Sequence, residues 1–212
     1  METAAVTMEW AMVELLHRPD AMAAATSELD RVVGRGRWVT ESDLPDLPYL
    51  DAVVKETMRL HPVGPLLIPH QAREDAVVGG YDVPAGARVL VNAWAVGRDP
   101  ASWPEAPGAF RPGRFFAGGS AEGVGVHGTH FQLLPFGSGR RMCPAHNLVM
   151  KEVWRRWRTL CTGSRGGCRT GCTRGHEHGG ILRAERKSEG AARCHSRAKA
   201  AGALLRRSRL AK

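Results

Sequence analysis

Apolar positions recur at helical spacing through the first third of the chain. Over residues 4–20 they fall at Val6, Met8, Trp10, Met12, Val13, Leu15 and Leu16, and Pro19 ends the pattern. A second stripe, Met22, Ala25, Leu29, Val32 and Val33, predicts a helix that Asp20 caps and that runs to about Val33. A GRGR loop and a Pro-punctuated stretch lead into a third helix over about 49–60, stopped by Pro62. The texture then changes. Alternation and turn residues predict short strands at Ala76–Val78, Tyr81–Val83 and 88–92, with turns at Gly79-Gly80 and at 84–86. Residues 99–130 are rich in Pro and Gly and read as irregular. A loop and a last helix over about 145–153 follow. This order predicts a mainly α fold with a minor β part.

The 212 residues suffice for one domain with a core. A formal net charge of +9 invites a nucleic-acid or membrane-surface reading. Position weakens it. Residues 1–153 hold 14 Lys and Arg against 18 Asp and Glu, whereas residues 154–212 hold 16 against 3. The cysteines divide the same way: Cys143 in the first part, and Cys161, Cys168, Cys172 and Cys194 in the second. No signal peptide, repeat or bilayer-length apolar run is visible.

Cys143 lies in PFGSGRRMCPAHNL, between Gly137, Gly139, Arg140 and Arg141 on one side and the last helix on the other. A lone cysteine is commonly buried and inert. Here the cations and the helix N-terminus favour a thiolate. The glycines let backbone approach a flat object closely. Such a thiolate suits a nucleophile or a metal ligand. Without a second Cys or a His at zinc spacing, a structural zinc is not expected in this part. One thiolate is enough for one axial position of a haem iron.

In KETMRLHP, Glu56 and Arg59 stand three apart on one helix face. An exposed ion pair of about 0.3–0.5 kcal/mol is the plain reading. The apolar flanks Ala52, Val53, Val54, Met58 and Leu60 argue for burial instead. A buried Arg59 needs a second partner or backbone acceptors for its N–H groups.

Together these stretches resemble the C-terminal third of the plant A-type, microsomal cytochromes P450. FGSGRRMC resembles that family's haem-binding loop, ETMR its Glu-x-x-Arg pair, and FRPGRF its Phe-x-Pro-Glu-Arg-Phe element. METAAVTMEWAMVELLHRP resembles the end of its oxygen-activation helix. The resemblance covers residues 2–153 and implies an incomplete cytochrome P450 fold. It implies haem b (iron protoporphyrin IX) as cofactor, with Cys143 as proximal iron ligand and Phe136 shielding the sulfur. Gly139 would permit the tight turn. Arg141 and His70 would contact haem propionates. Glu56, Arg59 and Arg114 would form a buried triad, with Arg114 supplying the partner that Arg59 needs. Glu2 and Thr3 would stand for the acid–alcohol pair that delivers protons in oxygen activation. Residues 63–68, VGPLLI, would line the substrate side. The activity implied is insertion of one oxygen atom from dioxygen into a small apolar or phenolic metabolite. Its electrons come from NADPH through NADPH–cytochrome P450 reductase at the endoplasmic reticulum membrane. The chain departs from the family at Ala145, where a Gly is usual after Cys-x, at Gly113, where a Glu is usual, and at Ala4. The resemblance also implies that the family's membrane anchor and most of its distal elements are absent from this chain.

After Val153 the resemblance stops. Residues 154–212 show little helical patterning and predict a disordered basic tail. A Cys/His cluster (Cys161, Cys168, Cys172, His176, His178) fits no common zinc spacing. Back-translated and shifted by one base, residues 154–172 permit the family's usual closing helix and strand, so the tail reads as out of frame. Three functions follow. One is a haem-thiolate monooxygenase. Another is a non-catalytic truncated or pseudogene product that does not hold haem stably. The last is a basic nucleic-acid-binding arm, which lacks aromatic interleaving; the expectation is no nucleic-acid partner.

Overall fold

The structure, a computed structural model, describes residues 2–34 and 36–164. The chain divides into two units, Met1–Thr159 and Leu160–Lys212. The elements below, as far as Thr159, form the first; the basic tail beyond Ser164, with Cys168, Cys172, His176 and His178, lies outside the described residues.

The order is α1 (Glu2–Leu16), α2 (Pro19–Val32), α3 (Pro48–Leu60), β1 (His70–Gln71), β2 (Ala76–Val78), β3 (Tyr81–Val83), β4 (Arg88–Val89), α4 (Ala93–Val96) and α5 (His146–Ser164). Short 3-10 turns lie at Glu41–Asp46, Pro112–Phe115 and Gly139–Arg141. The fold is mainly helical with a small β part, as the pattern predicts.

Helix α3 is the centre. Pro48 opens it, where a missing N–H costs nothing. The Glu28 carboxylate of α2 accepts from the backbone N–H of Tyr49 and of Leu50, both at 2.9 Å. An anion from another helix thus serves donors that α3 cannot satisfy itself. Nine residues of α3 are buried, Leu50, Val53 and Val54 completely. Helix α1 packs on it through Thr7, Ala11 and Leu15, at steps of four. The predicted stripe of larger residues is corrected here. Val6, Met8, Met12 and Val13 are only half-buried and Leu16 is exposed. A helix apolar nearly all round does not choose its face by hydropathy. Stacking of Trp10 on His61 (centroids 4.0 Å apart, 3° between planes) fixes the far end of that crossing.

Three further expectations change. Asp20 does not cap α2. Arg18 occupies the cap position, Pro19 is the first helical residue, and Asp20 lies in the first turn, where its charge suits the helix dipole. The strand predicted over 88–92 ends at Val89 and pairs with a strand that hydropathy did not show, His70↔Val89 and Gln71↔Arg88. It stops because Asn92 begins α4, its side chain accepting from Ala95 N–H at 3.0 Å. The β2–β3 hairpin is as predicted, with Gly79 and Gly80 at φ 58° and 85° in its turn. The last helix does not end at Val153. Met150, Val153 and Trp157 recur on one face, all three are buried, and α5 continues to Ser164. Among the described residues the indole N–H groups of Trp154 and Trp157 are buried without a partner, so the buried face of this extension is held by apolar area, while Arg156 pairs with Glu152 on its exposed side at 3.0 Å.

The long segment after α4 is ordered by Trp103. Its side chain is fully buried and its indole N–H donates to the Val96 carbonyl at 3.1 Å. Gly97 lets this segment meet α3, because a Cβ there would lie 2.5 Å from the Arg59 carbonyl oxygen. Gly113, in the position where the resemblance has Glu, has nothing within 4 Å of an added Cβ. Gly97→Ala is therefore expected to cost about 1–3 kcal/mol through backbone displacement, and Gly113→Ala to be near neutral. Urea unfolding midpoints of the two variants check the contrast.

Candidate functional site

The predicted Glu56–Arg59–Arg114 triad is present and buried, with residue exposures of 0%, 1% and 4%. Arg59 grips Glu56 with a fork, Nε to Oε2 and Nη2 to Oε1, both 2.7 Å. Its Nη1 donates to the carbonyls of Gly97 (2.5 Å) and Pro107 (2.6 Å), and Nη2 also donates to Ala109 (3.0 Å). All five guanidinium N–H groups are thereby used. This refines the sequence reading. Arg114 does not complete Arg59; backbone carbonyls do. Arg114 instead shares the carboxylate, its Nε donating to Glu56 Oε1 at 3.1 Å, where the Arg111 N–H also donates at 2.8 Å. Arg114 Nη2 reaches the carbonyls of Glu105, Ala106 and Ala109 at 3.2–3.4 Å. Ala106 takes φ 48° within this turn. Both guanidinium groups lie over Trp103, 4.9 and 5.8 Å from its ring centroid.

The Cys143 loop is built from its own backbone. Cys143 N–H donates to the Phe136 carbonyl at 2.9 Å, and Met142 N–H to Gly139 at 3.1 Å. Gly137 and Gly139 take φ 73° and 67°, a conformation that glycine permits. Nothing lies within 4 Å of a Cβ added at either. The segment 125–130 backs the loop: a Cβ on Gly128 would lie 2.9 Å from the Gly137 carbonyl, and Ser138 Oγ donates to the Gly128 carbonyl at 2.6 Å. The structure thus brings Phe136, Gly139, Arg141 and Cys143 into one turn. Cys143 is half-buried and in no disulfide. Arg140 and Arg141 are exposed and pair with no carboxylate among the described residues. Ala145 introduces no positive φ, and its carbonyl accepts from Val149 N–H at 2.9 Å, so the methyl group fits the start of α5.

The other predicted residues stand apart from this turn. His70 is exposed on β1, opposite Val89. Glu2 is the first residue of α1; Thr3 follows, exposed, its carbonyl accepting from Thr7 Oγ1 at 3.2 Å. In 63–68, Leu67 takes φ 50° in a turn closed by its N–H on the Gly64 carbonyl. Val63, Leu66 and Ile68 are exposed, Ile68 at 77%. Phe131 is 69% exposed. A concavity of about 260 Å³ lies between α3 and α5 and is not lined by Cys143. The half-buried thiol and its loop form one wall of this region. The donor chemistry, the two open glycine positions and the unpaired arginines fit a flat anionic ring laid against that wall. No metal-binding group of three or more His, Cys, Asp or Glu occurs among the described residues. None of their helices is long and apolar enough to cross a membrane.

The sequence reading missed one polar cluster. Glu14 Oε1 of α1 lies 2.6 Å from His61 Nε2, and its Oε2 pairs with Arg18. Burial alone would raise the Glu14 carboxyl, but the bonds and charges of His61 and Arg18 outweigh it, and the group sits below its ordinary value. The signal available was a Glu at the end of one amphipathic stripe and a His just past the end of another. Their pairing needed the crossing of α1 on α3.

Comparison with known proteins follows the same residues. Positions 1–153 match the family model for cytochrome P450. The chain is 76% identical over 152 residues to trimethyltridecatetraene synthase of Zea mays and 72% identical to dimethylnonatriene synthase of the same plant. These matches cover 72% of this chain and 27% and 28% of the relatives. Flavonoid 3'-monooxygenase CYP75B3 of Oryza sativa subsp. japonica is 49% identical over 162 residues, 76% of this chain and 31% of that protein. A zebra fish cytochrome P450 structure with progesterone superposes with a TM-score of 0.66 at 42% identity, covering 76% of this chain and 35% of that one. The chain thus spans less than a third of the length of the curated relatives named here.

Two outcomes are expected. Glu56→Gln leaves two buried guanidinium groups without a countercharge and should lower stability by about 3–5 kcal/mol, read as the shift in the urea midpoint. For Glu14 the folded carboxyl lies below its ordinary 4.5. Its contribution is therefore complete above that value and disappears as pH falls through the lower folded value. Glu14→Gln should flatten that acid limb of the stability–pH curve, measured by urea titration from neutral pH downward.

Proposed function

The chain belongs to the cytochrome P450 family, and we propose that it forms the thiolate-bearing wall of a haem monooxygenase. The observation that carries this is the Cys143 turn: a free, half-buried thiol beside two positive-φ glycines open on their Cβ side and two exposed arginines without carboxylate partners among the described residues. Haem iron, when held by a thiolate, supplies insertion of one oxygen atom from dioxygen, with electrons from NADPH through a reductase. The protein's part is to hold and orient. Cys143 provides the proximal sulfur and Phe136 shields it. Arg141, and His70 from β1, offer positive or hydrogen-bonding ends to the ring's carboxylates. The Glu56–Arg59–Arg114 network keeps α3 and the 97–114 coil rigid behind this wall. Glu2 and Thr3 take the acid–alcohol role in moving protons, and the exposed residues of 63–68 meet the substrate. Two maize relatives are named for making a methyl-branched tetraene and triene. That favours an apolar, unsaturated chain over a phenol as substrate. The whole protein's setting in this reading is the endoplasmic reticulum membrane, beside NADPH–cytochrome P450 reductase.

We take residues 1–153 as the part of this domain present and 154–212 as a basic tail read out of frame. The span of the family match supports that boundary. A second reading, a product that does not hold haem stably, is favoured by the uncovered apolar surface: Ile68 and Phe131 are exposed, and Cys143 does not line the concavity between α3 and α5. An apolar ring is retained best between two faces.

Haemin titration of the full chain separates the two readings. Under the first, the reduced, CO-bound product shows the Soret band of thiolate ligation, and Cys143→Ser abolishes it without changing the far-ultraviolet dichroism. No haem-dependent band in the unmutated chain establishes the second.

A further inference from the structure

We propose that His146 is a positioning residue for Cys143, holding its carbonyl through the ring and so fixing the direction in which the thiol projects. This rests on the reading of Cys143 as the proximal ligand, but its geometry is independent of haem. His146 Nδ1 lies 3.0 Å from the Cys143 carbonyl oxygen. A carbonyl only accepts, so Nδ1 carries the proton in this bond. The same oxygen receives the His146 backbone N–H at 3.3 Å. The peptide that follows Cys143 is thus held by two donors from one residue, at the first position of α5.

The imidazole is itself held on two sides. Phe136 packs against it with centroids 6.1 Å apart and planes at 56°. His127 meets it edge-on at 5.5 Å and 79°. The Phe136 carbonyl in turn accepts the Cys143 N–H. His146 therefore touches both ends of the 136–143 loop, while Gly128 and Ser138 close the loop from behind. A metal ligand must present its donor atom at a fixed angle, and residues behind the ligand set that angle. Without the ring bond, only the longer backbone N–H bond at 3.3 Å holds the Cys143 carbonyl, and the sulfur direction broadens. The His146 side chain contacts the loop and no reacting atom, so its role is through Cys143.

The test uses the full chain without haem. Alkylation of Cys143 by N-ethylmaleimide is followed by peptide mass mapping, which separates Cys143 from the other four cysteines. His146→Phe keeps a ring against Phe136 and His127 but removes the donor. His146→Asn replaces the ring but keeps a donor N–H near the position of Nδ1. The phenylalanine variant should alkylate about three- to tenfold faster, the range that loss of one hydrogen bond allows. The asparagine variant should return to the unmutated rate, with thermal midpoints equal in the two. Equal rates in all three proteins would overturn the proposal, as would acceleration in both variants that tracks a lower thermal midpoint. Should the phenylalanine variant unfold, His146→Leu and His127→Leu take its place: the first removes donor and ring, the second only the edge contact, and the proposal requires the first to accelerate alkylation more. If alkylation follows the donor while haemin gives no thiolate band, the positioning role stands and the haem reading fails.

Discussion

One carboxylate organises this fold. Glu56 is fully buried and faces two guanidinium groups, so its charge is more than balanced within a single cluster. Removing three charges from water is costly and is offset only when nearly every donor finds an acceptor. The acceptors come from the coil: carbonyls of residues 97, 105, 106, 107 and 109 turn inward to meet Arg59 and Arg114. A segment with no regular structure becomes well defined because its carbonyls are needed there. One donor, Arg114 Nη1, is left without a partner among the described residues.

The Cys143 turn is built on the same logic at smaller scale. No ion pair among the described residues shapes it. Its N–H groups close back on Phe136 and Gly139, glycines supply the conformations other residues resist, and His146 adds a side-chain donor to the carbonyl at the helix entrance. Among the described residues the arginines are exposed and without a carboxylate partner, and the thiol is free. Rigidity behind the sulfur and openness in front of it are produced by different groups, so one can be altered without the other.

Legibility in the sequence followed the range of the forces. Helices α2 and α3 and the β2–β3 hairpin were visible because stripes, prolines and a Gly-Gly turn act within a few residues. The Glu56–Arg59 pair was visible because an ion pair flanked by Val53, Val54 and Met58 is poorly placed to remain exposed, whereas Arg114 was named by resemblance. The buried face of α1 was not visible, since Thr7, Ala11 and Leu15 are chosen by how closely α3 approaches and not by hydropathy. The His70–Val89 pairing was hidden because two-residue strands carry no alternation. The continuation of α5 was in principle readable from Met150, Val153 and Trp157, but the surrounding arginines obscured the spacing. The site's loop residues were named by resemblance. That His146 completes the loop could be seen only when its ring was placed beside the Cys143 carbonyl.

The acceptors of Arg59 have a consequence for the order of assembly. Its contacts with Glu56 are three residues away, but those with Gly97, Pro107 and Ala109 are 38, 48 and 50 residues away. Helix α3 can form early from local contacts, while the guanidinium stays hydrated until the coil has closed a long loop over it. Interactions completed that late contribute little to the speed of folding and much to the barrier against coming apart. The network therefore acts as a kinetic lock, holding the assembled wall against slow loss.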